Sequence, residues 1–520
     1  MLQKKETILV QYLPCAASGI LLTLSFPKAG VPYLAFFALI PWLLMLPSLD
    51  TRQSFFSGFI AGFFHFITLI YWIIPTIHIY GGLHLILAGA TLILLCFYLA
   101  LYPALFAFLL KKLRPGSIYT PLLAACLWTG LEYIRTYAFT GFSWGSLGYS
   151  QYSNLLFIQI ADLSGVYGIS FLIVLINYLF ADLFIISKKA KEAKRPFIAI
   201  LFTVTLVSSA IYYGHVRLAT IESLMISAQK PVIAVVQGNI EQDLKWSAEF
   251  KNKTVEKYLL LSKTTLKDEP ELIIWPETAL PFYYGYEREL SNLVDQCVRE
   301  SKTNFLIGSP AFKADEKETL YYNRAFMLNR FSIVTATYDK NHLVPFGEYV
   351  PFGKYLTFLG KITAQAGNFS TGDKTFVPLP FKEYKTGVLI CFESLFPHIA
   401  SGFVKNGADI LTAITNDAWF GRTSAPMQHF SMAVFRAVEN RRSVARAANT
   451  GISGFIDPTG RILETTALFT DRAITRQIPV LTLMSFYTRY GDIFAISAMV
   501  AFGLTFMVKA IRNQIRRNEK

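Results

Sequence analysis

Charge is scarce in this chain. Asp, Glu, Lys and Arg make up only 16% of its 520 residues, against about 25% in an ordinary soluble domain. The deficit is concentrated in the first 215 residues and in a short stretch near the C-terminus, which excludes a wholly soluble protein. Cysteine is scarce too. The five cysteines (15, 96, 126, 297 and 391) are too scattered for a disulfide framework, and no pair has metal-ligand spacing. No metal and no cofactor is expected. Basic residues outnumber acidic ones, for a net charge of +14. No basic patch interleaved with aromatics stands out, so nucleic acid is not an expected partner. Internal repeats and low-complexity tracts are lacking as well.

What the chain does have is long apolar runs. Lys4 and Lys5 precede a run from about Ile8 to Phe26. No clear small-residue cleavage site follows, so it reads as an uncleaved span rather than a signal peptide. Further runs cover about Val31 to Leu46, Phe55 to Ile74, Leu83 to Leu110, Ile118 to Tyr133, Val166 to Ile186 and Phe197 to Tyr213. Each is near the ~20 residues that cross a bilayer. Basic residues cluster at the N-terminus, after the fourth run (Lys111, Lys112, Arg114) and after the sixth (Lys188 to Arg195). By the positive-inside rule the N-terminus is cytoplasmic. Seven spans, residues 1–214, then leave the polar segment 215–488 outside the cytoplasm. An eighth span, about Asp492 to Val508, returns the chain to a basic tail that includes Lys509, Arg512 and Arg516. Both ends lead to the same topology: both termini cytoplasmic, a multi-pass bundle, and 489–520 as final span and tail.

Between the spans, strand-like runs alternate with helical patterns. The runs are Val232–Val236, Leu272–Trp275, Phe305–Gly308, Ile333–Thr337, Val388–Ile390 and Ile410–Ile414; the helical stretches include Ala248 to Thr264 and Leu290 to Ser301. This alternation predicts an α/β domain in which helices cover sheets.

Three of these strands lead into complementary chemistry. Leu272–Trp275 runs into Pro276-Glu277. The segment after Thr337 carries Lys340 and Glu348. Gly387-Val388-Leu389-Ile390 ends on Cys391, followed by Phe392, Glu393 and Ser394. A thiol at a strand tip is held rigidly beside a loop-lined cleft. Glutamate, lysine and cysteine together make an acyl-transfer set. The carboxylate takes the thiol proton. The ammonium lowers the thiol pKa and steadies an oxyanion. The thiolate attacks to give a thioester.

At these residues the chain resembles the nitrilase superfamily, whose members carry a Glu-Lys-Cys triad in an α-β-β-α sandwich. The likeness extends along nearly the whole chain to the apolipoprotein N-acyltransferase family, which joins a multi-span bundle to such a domain. Its stretches include Val236-Gln237-Gly238-Asn239-Ile240, Leu244-Lys245-Trp246, Trp275-Pro276-Glu277-Thr278, Lys340 to Glu348, Asn416-Asp417-Ala418-Trp419-Phe420-Gly421, Gln428-His429 and Arg436 to Arg441. The resemblance implies Glu277 as base, Lys340 as stabilising cation and Cys391 as nucleophile. It implies Trp246, Glu348 and Glu393 as essential neighbours, and places Trp144 on a loop where it can meet lipid. Phe392 stands where that family usually has tyrosine. The implied reaction moves an acyl chain from a membrane phospholipid to the N-terminal amine of a diacylated apolipoprotein. The implied setting is the bacterial inner membrane, with a periplasmic catalytic domain and a monomeric enzyme.

Two other classes fit parts of the pattern. A membrane-tethered amidase or nitrilase would use water as acceptor, but needs no eight-span tether. A transporter or lipid-binding protein with a vestigial domain would have no need to retain Glu277, Lys340 and Cys391 together. Gly141-Phe142-Ser143-Trp144-Gly145 fits a nucleophile-elbow pattern, but lies in a loop between spans rather than between a strand and a helix. Glu132 and Arg135, at a membrane edge, are either functional or a loop-ordering ion pair. His342 and His429 read as hydrogen-bonded structural residues. Phe282, Tyr283, Tyr284, Phe346, Phe352 and Phe358 are either a cover over the site or ordinary core and surface aromatics.

Overall fold

The structure, a computed structural model, describes residues 12–113, 119–187, 194–242, 245, 247–314, 318–349 and 369–518. The chain divides into two units, one helical (1–74, 85–217 and 490–520) and one α/β (75–84 and 218–489).

The helical unit contains α1 (Leu13–Leu24), α2 (Thr51–Leu69), α3 (Leu85–Lys112), α4 (Thr120–Tyr137), α5 (Ala161–Ser187), most of α6 (Lys194–Ser227) and the last helix, α11 (Ile493–Asn518). Asp50 starts α2 by accepting from the Gln53 amide at 2.8 Å, while the Gln53 side chain accepts from the Asp50 amide; both groups would otherwise be orphaned at the helix start. Gly58 and Gly62 let α2 approach the Ala100–Ala104 stretch of α3, where any side chain on Gly58 would run into the Pro103 backbone. Small residues at helix interfaces serve this purpose where burying apolar surface brings little gain.

Among the described residues, four helices, in α3, α5, α6 and α11, are long and apolar enough to cross a membrane by length and composition, or five if the bent pair Thr51–Leu69 and Ile73–Tyr80 counts as one span. They mark a membrane protein. The expected run Val31 to Leu46 is not one helix. It breaks into a 3-10 turn at Pro32–Phe36 and a four-residue helix at Ile40–Leu43, because Pro32, Pro41 and Pro47 each start a new turn and deny a backbone donor to a continuous one. The first expected span is described as the 12 residues of α1. α4 matches the fifth but carries Glu132 and Arg135.

The α/β unit holds, among the described residues, two six-stranded sheets. One has the order β12-β1-β2-β3-β4-β5 and the other β11-β10-β9-β8-β7-β6. The strands are β1 (Val232–Gln237), β2 (Leu272–Ile274), β3 (Asn304–Ala314), β4 (Thr319–Leu328), β5 (Val334–Asp339), β6 (Leu379–Phe381), β7 (Tyr384–Ile390), β8 (Ile410–Thr415), β9 (Val444–Ala448), β10 (Gly454–Ile456), β11 (Ile462–Thr465) and β12 (Arg472–Gln477). β1, β2 and β3 run parallel, as do β7, β8 and β9; the remaining pairings are antiparallel. The parallel strands are buried on both faces and correspondingly apolar.

Helices α7 (Ala248–Thr265) and α8 (Arg288–Ser301) cover the first sheet. There Val255, Tyr258, Val294 and Val298 join Val236, Trp275 and Phe305 in one core. Helices α9 (Pro397–Lys405) and α10 (Ala425–Asn440) lie against the second sheet. Between the sheets, Asn449 ties the turn after β9 to the turn after β1, donating to the Ile240 carbonyl at 2.7 Å and accepting from its amide at 2.9 Å. The result is the expected α-β-β-α sandwich. Residues 75–84 belong to this unit although helical segments flank them in sequence; the Tyr80 ring lies 6.2 Å from Trp419.

β3 passes directly beneath the turn that carries Glu277. A methyl group on Gly308 would lie 2.6 Å from the Thr278 nitrogen and 2.9 Å from the Glu277 Cα. Gly308→Ala should therefore cost about 1–3 kcal/mol of stability, as overpacking does. It should also displace Glu277, lowering activity more than a surface Gly→Ala control. Thermal unfolding and activity measured together check both effects.

Candidate active site

Three loops bring the expected groups together. Cys391 closes β7 with φ of +53°, a left-handed conformation that costs a non-glycine residue energy and is found where the surroundings over-determine it. The 3-10 turn Cys391–Leu395 follows. Glu277 sits on the turn after β2. Its Oε1 accepts from Lys340 Nζ at 3.2 Å and from Asn323 at 2.7 Å, and its Oε2 accepts from the Asn416 amide at 2.9 Å. Lys340 follows β5, with its Nζ also 2.9 Å from the Glu348 carboxylate. Glu348 in turn accepts from Asn323 at 3.0 Å and from the Val344 amide at 2.8 Å. Lys340 is 1% exposed and Glu277 6%, so water contributes little to either charge.

Burial alone would raise the Glu277 carboxyl. Lys340, Asn323 and Lys245 outweigh it and hold the group below the ordinary carboxylate range. Burial works against the charged Lys340 as well, but Glu277, Glu348 and Cys391 raise it above a free lysine. The thiol behaves in the opposite way. Burial and Glu277 push Cys391 up, and the pull of Lys340 and Thr415 does not offset them. Lysine does favour the thiolate here, but burial and Glu277 outweigh it, which favours a neutral thiol beside an ionised carboxylate. That is the state in which a general base is needed.

Glu393 links the nucleophile strand to the lysine loop. Its Oε2 accepts from the Ile390 amide at 2.8 Å. Its Oε1 accepts from Tyr338 Oη and the Asn341 amide, each at 2.7 Å, and from the His342 amide at 3.1 Å. The Phe392 ring lies 5.3 Å from Phe396 and 5.7 Å from His342, so it packs without a hydroxyl. Trp246 lies outside the described residues, as do Phe352 and Phe358. Trp144 is in the helical unit, 2% exposed, with its ring 4.7 Å from Trp72. Protein, not a lipid-facing surface, surrounds it there. Phe282 and Tyr284 belong to the core under the first sheet, whereas Phe346 is 51% exposed. Ser143 is in a loop after α4 rather than at a strand-to-helix turn. Glu132 accepts from Trp128 Nε1 and the Leu147 amide, both at 2.9 Å, and Arg135 donates to Ser146 at 3.1 Å. Each anchors the loop that follows α4 through its own bonds.

Several site residues were not singled out from the sequence. Asn323 holds both carboxylates but lies on β4, whose mixed polarity hid it. Lys245 is fully buried and donates to Thr278 Oγ1 at 2.7 Å; burial brings it down to about 8. Asn416 and Asp417 sit in a motif stretch that carried no assigned role. Among the described residues no cluster of three or more His, Cys, Asp or Glu side chains is placed to hold a metal ion.

Residues 232–485 match the family described as carbon-nitrogen hydrolase, and the two-sheet sandwich with its strand-end site places the α/β unit in that class. Residues 18–179 match the apolipoprotein N-acyltransferase N-terminal domain. The chain is 41% identical over 508 residues to an apolipoprotein N-acyltransferase of Geobacter metallireducens, covering 97% of this chain and 96% of that one. An apolipoprotein N-acyltransferase of Pasteurella multocida is 29% identical, with 98% and 96% covered. The apolipoprotein N-acyltransferase 1 of Treponema denticola is 32% identical, with 96% of each chain covered. The chain belongs to the apolipoprotein N-acyltransferase family.

Burial lifts the Glu393 carboxyl to about 7 despite its donors. Protonation would remove an acceptor that the lysine loop depends on, so N-acyltransferase activity should fall as pH drops through about 7. Tyr338→Phe removes one donor, worth about 1.5 kcal/mol to a charged acceptor, and should move this acid limb up by about one pH unit. A limb that stays in place would belong to another group.

Proposed function

We propose that this enzyme transfers an acyl chain from a membrane phospholipid, through a thioester on Cys391, to the α-amine of the diacylglyceryl-cysteine that begins an apolipoprotein. The observation that carries the reading is the buried meeting of Glu277 and Lys340 at the strand ends, with Cys391 electrostatically coupled to both.

In the first half-reaction Glu277 takes the thiol proton as the sulfur attacks the ester carbonyl. The oxyanion develops beside the Lys340 ammonium. The bond to the glycerol oxygen breaks, that oxygen takes the proton from Glu277, and a lysophospholipid leaves. In the second, the amine attacks the thioester, its proton passes to Glu277, an amide forms, and the thiolate recovers the proton. Glu348 keeps Lys340 in place, Glu393 fixes the loop that carries it, and Trp246 is an essential neighbour by resemblance to the family. No cofactor is required. Apolar helices suit substrates whose acyl chains are worth ~0.8 kcal/mol per buried CH₂ in the bilayer, because the chains need not leave it.

The setting we infer is the inner membrane, with eight crossings, both termini cytoplasmic, the α/β unit periplasmic and the enzyme monomeric. Clusters of basic residues on alternate connections support this orientation.

Intact mass after incubation with phospholipid tests the chemistry. The parent should gain one acyl increment and Cys391→Ala none, and a diacylated lipopeptide with a free amine should discharge the adduct. Discharge equally fast by water alone would make the protein a hydrolase. A reporter fused after residue 230 should be active only in the periplasm; cytoplasmic activity would reverse the orientation.

A further inference from the structure

Behind the nucleophile lies a buried polar chain that the reaction described above does not use. Cys391 contributes its backbone carbonyl, which accepts a hydrogen bond from His429 Nε2 at 3.1 Å. The other ring nitrogen, Nδ1, is 3.0 Å from Asp417 Oδ1 and 3.1 Å from Arg446 Nη2. Arg446 also donates to Asp417 Oδ2 at 2.9 Å, and Thr415 Oγ1 donates to Asp417 Oδ1 at 2.9 Å. His429, Asp417 and Arg446 are each 1% exposed or less. Such a chain is costly to bury unless its members are paired.

The carbonyl can only accept, so Nε2 carries a proton whatever the state of Nδ1. His429 comes from α10, Asp417 from the turn after β8 and Arg446 from β9. Three elements therefore converge on one peptide plane, and that plane belongs to the residue held at φ +53°. Fixing the carbonyl fixes ψ at Cys391, and with it the direction in which the Cα–Cβ bond that carries the sulfur leaves the strand.

We propose that His429 is a positioning residue for acyl transfer: its Nε2–H clamps the Cys391 carbonyl and so aims the side chain that carries the sulfur, while Nδ1 is held by Arg446 when bare or by Asp417 when protonated. The proposal rests on Cys391 being the acylated nucleophile.

The test compares His429→Gln with His429→Asn in the full chain in lipid. Gln places an amide donor close to the Nε2 position. Asn places one close to Nδ1 and leaves the carbonyl without a donor. Thioester formation from phospholipid, read by intact mass, should fall on the order of 100-fold in the Asn variant, the scale of a 1 Å misplacement. The Gln variant should retain at least about a tenth of the parent rate. The phospholipid concentration for half-maximal rate should be unchanged in both, and alkylation of Cys391 by iodoacetamide should slow in the Asn variant alone. Equal losses in the two variants, tracking a shared drop in thermal stability, would make His429 a packing residue and overturn the proposal. A parent that forms no adduct, or a Cys391→Ala variant that still forms one, would instead overturn the nucleophile assignment beneath it. One measurement needs no variant. The ¹⁵N shifts of the parent's histidines should show His429 protonated at Nε2; a bare Nε2 would refute the clamp even if neither variant folds.

Discussion

The Lys340 ammonium is the group on which the site depends. It lies in the interior between two carboxylates, Glu277 at 3.2 Å and Glu348 at 2.9 Å. Removing water from three charges costs several kcal/mol per ion, recovered only by close pairing and full hydrogen bonding. Asn323, Asn416 and Val344 supply those bonds. The strand ends cannot drift apart without exposing an uncompensated charge, so electrostatics hold loops that apolar packing alone would leave loose.

This arrangement also explains why the thiol rests neutral. Burial disfavours a thiolate first, and Glu277 and Asp417 disfavour it further, so that the one lysine does not offset them. Ionisation is deferred until a carbonyl is present to receive the electrons. Cysteine oxidation follows thiolate character and exposure, so the same electrostatics that delay attack also shield the sulfur between turnovers.

Much of the candidate site was legible because its polar groups occupy strand ends, and buried strands such as Leu272–Ile274 and Ile410–Thr415 announce themselves by continuous apolar runs. β4 was not read, since Thr319, Tyr321, Asn323 and Arg324 give it no clean period, and Asn323 was missed with it. α10 was missed for the opposite reason: it is buried nearly end to end, so it lacks the polar stripe by which a surface helix is recognised. Seven apolar runs were located in the first half, but apolarity counts residues and does not register proline. Hence Val31 to Leu46 looked like one continuous helix and is a series of short helical turns. His429 was read as a hydrogen-bonded structural histidine; sequence could not reveal that its partner is the nucleophile's own carbonyl.

The segment 75–84 has a consequence for how the molecule is made. It is synthesised among the first apolar helices, yet it packs on the turn Asp417–Phe420, encoded in the last third of the chain. Domains generally fold as units as they emerge from the ribosome. This one gains its last contact only when a fragment threaded out long before is retrieved. A gene truncated to begin at residue 218 would encode every described strand and all three expected catalytic residues, and would leave the turn Asp417–Phe420 without the segment that packs on it.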